Sequence, residues 1–257
     1  MPQRILVTPD QLQGDRLALS PDQSHYLTRV LRLAAGDSFV AIFENPVQPL
    51  DKLGPGRWWL VQLLDQGGQI LGQLEEPNNT VPVTVLVAIT KGGGFDEVLR
   101  QLTELGVEAI APLQTERTVV VPGPNKIKRW KRIIAEAAEQ CERSPLPRLL
   151  DPMPWSEALT LPWIEGGEHI EKLICAARYG EGRSLLTALQ ATLDAQANPT
   201  HWAIAIGPEG GWTEGEKHQA IAAGFEAVSL GGRILRAVTA ATTVGAIAAS
   251  VWESRDN

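Results

Sequence analysis

Trp202-Ala203-Ile204-Ala205-Ile206-Gly207-Pro208-Glu209-Gly210-Gly211 is an apolar run that empties into a glycine-punctuated loop. Downstream, Glu226 to Ser229 leads into Leu230-Gly231-Gly232-Arg233-Ile234-Leu235-Arg236, and an alanine- and threonine-rich segment begins near Thr239. Each stretch reads as a strand, a loop and then a helix. Thr213-Glu214-Gly215-Glu216 fits a capping box, which starts a helix just after the first loop. In open α/β sheets ligands lie beyond the carboxyl ends of the strands, so two such loops close in sequence point to one pocket. Glycine lets main chain approach a ligand closely or adopt φ > 0. Arg236 delivers a fixed positive charge to the same neighbourhood.

The pattern upstream agrees with this reading. Val83 to Ile89 is continuously apolar, as expected of a strand buried on both faces of a parallel sheet. A helix after Gly94 places Val98, Leu99, Leu102 and Leu105 on one side, and Gly106 stands where a C-terminal cap belongs. Val107 to Leu113 is the next strand. A long helix from about Asn125 to Arg143 buries Ile127, Trp130, Ile134, Ala137 and Cys141 at helical spacing. Strands at Leu173 to Ala177 and Trp202 to Ile206 flank a helix near Ser184 to Ala195. The last strand covers Ala227 to Leu230. Alternating strands and helices of this kind define an α/β domain with a mostly parallel sheet.

Residues 1 to about 75 differ in kind. Short apolar runs at Ile5 to Val7, Phe39 to Phe43, Trp58 to Leu64 and Gln69 to Leu74 are separated by turn signals at Gly36-Asp37, Gly54-Pro55-Gly56 and Gly67-Gly68, which reads as a small β-rich domain. One helix, from about Asp22 to Leu33, interrupts it. Glu75 to Thr80 reads as a linker, so the expected domains are residues 1–76 and 77–257.

The chain has 257 residues, 44% hydrophobic and 21% charged, the composition of an ordinary globular protein. No stretch approaches the roughly 20 apolar residues that span a bilayer. Arg4, Asp10, Asp15 and Arg16 interrupt any signal-peptide pattern, so a cytoplasmic location is expected. Cys141 and Cys175 lack metal-type spacing and read as buried free thiols. His25, His169, His201 and His218 are scattered, so no metal site is expected.

A net charge of −7 argues against indiscriminate nucleic-acid binding but not against a selective RNA partner. Lys126-Ile127-Lys128-Arg129-Trp130-Lys131-Arg132 is the densest basic run, with Arg29 and Arg32 forming a smaller cluster and Arg143 and Arg148 elsewhere. A solvated helix face is the plain alternative for the long run. The commoner nucleotide motifs are absent: there is no GxxxxGK[ST] loop and no GxGxxG at the start of the α/β domain. Lys91-Gly92-Gly93-Gly94 lacks that register and reads as a turn. No GxSxG elbow supports a serine hydrolase. Glu209, inside the glycine loop, is placed to orient a ligand hydroxyl or a loop amide.

Ile206 to Gly211 with Glu216, together with Leu230-Gly231, Arg233-Ile234-Leu235-Arg236 and Thr239-Ala240, resembles the RsmE family of ribosomal RNA methyltransferases. Supporting matches run in order along both domains: Val30-Leu31-Arg32 with Gly36-Asp37, Lys91-Gly92, Thr103 to Val107, Glu116-Arg117, Glu136-Ala137 with Glu139-Gln140, and Arg143 with Pro147. The resemblance implies an N-terminal PUA-like β-barrel that helps hold RNA. It further implies a C-terminal SPOUT domain, knotted as a trefoil around an S-adenosylmethionine (AdoMet) site, working as a homodimer. The implied reaction is methylation of N3 of a particular uridine in 16S rRNA of the small subunit.

On that basis the cofactor residues are Ile206, Gly207, Pro208, Glu209, Gly210, Gly211, Leu230, Gly231, Ile234, Leu235 and Thr239. Arg236 is the expected catalytic residue, stabilising charge that develops on the uracil carbonyls or holding the uridine phosphate. Arg29, Arg32, Lys126, Lys128, Arg129, Arg132 and Arg143 are the expected RNA contacts. Two positions depart from the family pattern: Val238 stands where glutamate is usual, and Gln101 where lysine is frequent. Val238 cannot act as a base, and the sequence names no other. A retargeted or catalytically impaired RNA-binding protein on the same fold is the alternative.

Overall fold

The computed structural model describes residues 3–47, 49, 56–75, 80–165, 170–176, 182–194 and 201–256, and falls into two compact units. The first comprises residues 1–79 with 138–145, and the second comprises 80–137 with 146–257. The expected boundary at 76/77 and most of the expected linker lie outside the described residues, as does the Gly54-Pro55 turn signal.

In the first unit, strands β1 (Gln3–Val7), β2 (Leu12–Gln13), β3 (Arg16–Leu17), β4 (Ser38–Val47), β5 (Gly56–Leu63) and β6 (Gly68–Gln73) form one curled sheet in the order β1-β4-β5-β6-β3-β2. β1 pairs parallel with β4, and every other pairing is antiparallel. Alternation along β4 explains its burial. Phe39, Ala41 and Phe43 face a core with Trp59, Val61 and Ile70, while Val40 and Ile42 pack with Trp58 on the other side.

The expected helix over 22–33 is shorter and composite. Pro21 and a Ser20–Gln23 capping box start α1 (Pro21–His25), which widens into a π-helical turn at Tyr26–Val30. Leu27 and Leu33 are six residues apart, so an unbroken α-helix would hold them about 120° apart around its axis. Instead Arg32 adopts φ 57°, the Leu33 N–H returns to the Leu27 carbonyl at 2.9 Å, and both leucines join the core.

The second unit holds β7 (Val81–Ala88), α2 (Gly94–Glu104), β8 (Val107–Gln114), α3 (Pro124–Gln140, whose last residues count with the first unit), β9 (Arg148–Leu149), β10 (Met153–Pro154), α4 (Trp155–Ala158), α5 (Pro162–Glu165), β11 (Ile170–Cys175), α6 (Leu185–Asp194), β12 (His201–Ile206), α7 (Glu214–Ala222), β13 (Glu226–Val228) and α8 (Ala237–Glu253). Its strands are all parallel, in the order β10-β8-β7-β12-β11-β13 with β9 beside β8. Along β12, Trp202, Ile204 and Ile206 enter the core shared with residues of α2, α3, α6 and α8, while Ala203 and Ala205 face Trp155, Trp212 and Phe225. Helices therefore cover both faces, which is why the strands read as unbroken apolar runs.

Gly106 follows the end of α2 at φ 80°, the left-handed cap expected from sequence. The strand pairs at 148–149 and 153–154 and the short helices after them carry no periodicity and escaped the sequence reading. Contrary to expectation, Cys141 lies beyond the end of α3 and is exposed.

Candidate cofactor pocket and its rim

The two glycine loops do meet. A cavity of about 330 Å³ is lined by Ile206, Gly207, Pro208, Glu209, Gly210 and Gly211 from the first loop, and by Leu230, Gly231, Ile234 and Leu235 from the second. That volume falls in the range of small-molecule sites, roughly 300–1,000 Å³. Its walls are mainly apolar side chains and glycine main chain, with Arg117, Glu209, Lys217 and Arg233 also among the lining. The apolar part of that lining suits the face of a flat heterocycle. The pocket lies beyond the carboxyl ends of β11, β12 and β13, where parallel sheets place their ligands.

The first loop is fastened on every side. A Cβ on Gly207 would stand 3.0 Å from the Trp212 indole nitrogen, so glycine is what lets the loop lie on that ring. Trp212 is itself buried and packs on Trp155 with ring centroids 4.8 Å apart. Gly211 holds φ 71° and donates its N–H to the Pro208 carbonyl at 2.8 Å. Glu209 Oε1 accepts the Lys91 N–H at 3.4 Å, one of the two roles the sequence left open for it. The capping box is formed: Thr213 Oγ1 accepts the Glu216 N–H, and Glu216 Oε2 accepts the Thr213 N–H at 2.8 Å.

Gly210 has a different reason from the one its loop suggests. The position of its missing Cβ lies 3.0 Å from Arg117 Cδ, so a side chain there meets Arg117 before it meets a ligand.

The second loop presents its groups. Ser229 is tied to 183–185 by main-chain bonds of 2.9 and 3.1 Å and turns the chain through its hydroxyl, which accepts the Gly231 N–H at 3.1 Å. Gly231 holds φ 110°. Beyond it, Ile234 is 83% exposed and Arg233 and Arg236 are exposed. Arg236 is the N-cap of α8, between the pocket-lining Leu235 and Ala237, but is not itself part of the lining. Thr239 does not reach the pocket: it is exposed one turn into α8, and Ala237 and Ala240 take the lining positions.

Lining residues that sequence reasoning passed over include Arg117, Cys175, Trp212, Lys217 and Arg233. Cys175 ends β11, so the rule that ligands sit at carboxyl ends of strands would have found it. Burial pushes its thiol pKa up to about 12. Arg117 lies far away in sequence and only its family match flagged it.

The expected RNA contacts divide. Arg29 and Arg32 are exposed on the first unit. On α3, Lys128 and Arg132 face solvent, Lys126 lies over the Trp130 ring at 5.7 Å, and Arg129 pairs with Asp96 at 2.5 Å. Arg132 meets Glu136 at 3.4 Å. The exposed Arg132–Glu136 pair is weak, about 0–1 kcal/mol, whereas Arg129 answers a buried carboxylate. Arg143 is the exception: it is 4% exposed, so it is not part of a solvent-facing patch.

The two departures from the family pattern come together. Val238 packs at the position of a Gly94 Cβ, 3.3 Å away, where α8 crosses α2. One turn along α8, the Thr242 hydroxyl meets the Gln101 side-chain carbonyl, and Gln101 Nε2 donates to Glu97 at 2.9 Å. Uncharged Val238, Thr242 and Gln101 therefore stand where α8 crosses α2, where the resemblance leads one to expect glutamate and lysine.

A parallel α/β sheet with glycine-loop main chain around an apolar pocket defines a cofactor-binding domain, and its sequence says which class. Residues 76–249 match a family model described as an RNA methyltransferase domain. A ribosomal RNA small subunit methyltransferase E from Synechocystis sp. is 42% identical over 99% of this chain and 79% of its own, and the Bacillus subtilis protein of that name is 26% identical over 92% and 91%. The solved structure of a ribosomal RNA small subunit methyltransferase E from Neisseria gonorrhoeae bound to S-adenosyl methionine is similar with a TM-score of 0.70 and 28% identity, covering 97% of this chain and 96% of that one. This chain belongs to the ribosomal RNA small subunit methyltransferase E family.

Proposed function

We propose that the protein transfers a methyl group from AdoMet to N3 of a uridine in 16S rRNA of the small ribosomal subunit. The observation that carries this reading is the pocket the two glycine loops make together, in a chain of this family. The cofactor brings a methyl group already activated on a sulfonium, so the protein's task is alignment. Ile206, Leu230, Leu235 and Ile234 would pack the adenine, and main-chain groups of Gly207 to Gly211 and Gly231 would hold the rest.

Uracil N3 lies on the Watson–Crick edge, so the target base must be unpaired or turned out of its stack to be reached. Arg236, exposed at the start of α8 with no side-chain bond among the described residues, is free to face negative charge on the uracil carbonyls as the N3 proton leaves. Val238 supplies no carboxylate, and no residue of the chain is assigned that proton. Arg29 and Arg32, with Lys126, Lys128, Arg129 and Arg132, would contact phosphates, and residues 1–76 would act as a PUA-like RNA-holding domain beside a catalytic domain of 77–257.

The trefoil threading belongs to the same reading. The chain leaves β13 at the edge of the sheet, runs through the 230–236 loop and returns to pack α8 on β7, an interior strand. A homodimer completes it. Val119 and Val121, 65% and 82% exposed between β8 and α3, give the second unit an apolar edge of the kind a second copy covers. Light scattering at micromolar concentration tests that state, with a monomer refuting it.

The decisive experiment is transfer of labelled methyl from AdoMet to small subunits from cells lacking the modification, followed by nucleoside analysis. Label recovered as 3-methyluridine is the expected result. Binding of AdoMet without any transfer would favour a retargeted or retired catalyst.

A further inference from the structure

We propose that Arg117 is a positioning residue for the 207–211 loop, and that with Glu216 it forms a clamp that sets how tightly the pocket takes its cofactor. The proposal rests on the reading of the pocket as an AdoMet site. β8 ends in Thr115-Glu116-Arg117-Thr118, a turn closed on itself. The Thr118 N–H donates to the Thr115 carbonyl at 3.0 Å, the Thr115 N–H donates to Thr118 Oγ1 at 3.1 Å, and the two hydroxyls meet at 2.8 Å.

That turn is bolted down by a carboxylate. Glu216 is 2% exposed, and both its oxygens accept main-chain N–H groups: Oε1 takes Glu116 at 2.9 Å and Oε2 takes Thr213 at 2.8 Å. The role visible in sequence, a helix cap, uses only one of them. The other ties α7, and with it the end of the glycine loop, to the turn after β8.

From this fixed base Arg117 reaches across the pocket wall. Its Nη1 donates to the Gly210 carbonyl at 2.5 Å, and its Cδ stands 3.0 Å from where a Cβ on residue 210 would be. Arg117 also lines the cavity. It is an exposed arginine that bonds a loop carbonyl, so its position follows the loop and the loop's follows it. Committing the Gly210 carbonyl to Arg117 leaves the loop fewer arrangements, and a loop ordered in advance binds its ligand with less entropic cost.

The test is a double-mutant cycle read by AdoMet calorimetry, with steady-state methyl transfer and thermal midpoints alongside. Arg117→Ala is expected to weaken AdoMet binding about tenfold, the loss of one hydrogen bond to a charged group. Turnover at saturating AdoMet should stay within about twofold, because the interaction is the same in the ground and transition states. Arg117→Lys should recover part of the affinity. Gly210→Ala introduces a methyl 3.0 Å from Arg117 Cδ, so it should weaken binding in the wild-type background and have no further effect beside Arg117→Ala. Unchanged affinity in Arg117→Ala, or equal losses from Gly210→Ala in both backgrounds, would overturn the clamp. Wild-type protein that fails to bind AdoMet would instead overturn the reading of the pocket, and the clamp's effect on affinity with it.

Discussion

The 206–211 and 229–236 loops resemble each other in sequence and differ in how they are held. The first is locked by an indole beneath Gly207, an arginine on the Gly210 carbonyl, a glutamate bonded to the Lys91 amide and a capping box at its end. The second is anchored where it leaves β13 and then offers solvent an 83% exposed isoleucine between two exposed arginines. A fixed wall suits a small cofactor that must be bound in one pose. Exposed, unpaired cations suit a large anionic substrate that arrives from outside. The first loop holds, and the second, which also lines the cavity through Leu230 and Leu235, presents its exposed tip.

The sharpest way to break that division is Arg236→Ala. Methylation should fall about a hundredfold or more, as when one preorganised electrostatic donor is lost, with AdoMet affinity near normal. If calorimetry shows affinity falling as far as turnover, Arg236 belongs with the cofactor-holding part of the second loop. Next in size is Trp212→Ala, which removes the ring under Gly207 and the partner of Trp155. About 3 kcal/mol of stability should be lost, within the usual range for a buried aromatic, as measured by chemical denaturation. Unchanged stability would mean the first loop is not held by its packing.

Arg233→Ala, on the exposed rim of the cavity, should lower AdoMet affinity far less than it raises KM for the ribosomal substrate, and should reduce the salt slope of RNA binding by about one. An unaltered slope would remove Arg233 from the presenting face. The smallest effect is expected at the opposite end of the sheet. A hydrogen bond from His201 and the charge of Arg148 hold the Glu108 carboxyl below its ordinary pKa of 4.5. A depressed folded-state pKa stabilises the protein fully above that ordinary value, and the contribution is lost as pH falls through the lowered one. Because Glu108 is partly exposed, Glu108→Gln should cost less than about 1 kcal/mol at neutral pH. The cost should shrink further in acid, with no change in AdoMet binding. A change in cofactor affinity there would show that the two ends of the sheet are coupled.

Much of this was legible along the chain. Continuous apolar runs at 83–89 and 202–206, the Gly106 cap and the Thr213–Glu216 box specify a parallel α/β unit, because burial on both faces and helix capping leave local signatures. The glycine loops could be read as a pocket because parallel strands all deliver their carboxyl ends to one edge. Arg32 was harder: its φ of 57° follows from where Leu27 and Leu33 must point, which depends on the core they enter.

By itself, then, the sequence determined the two kinds of unit, the place of the pocket and the residues of both loops, since these rest on spacing and backbone chemistry. Tertiary structure alone decided three further things. It put Arg117 on Gly210, joined Gln101 to the α8 turn after Val238, and buried Arg143. Each depends on contacts between residues distant in the chain or on the packing around them. No local pattern encodes such contacts, because they form only once the sheet has set the register of its strands.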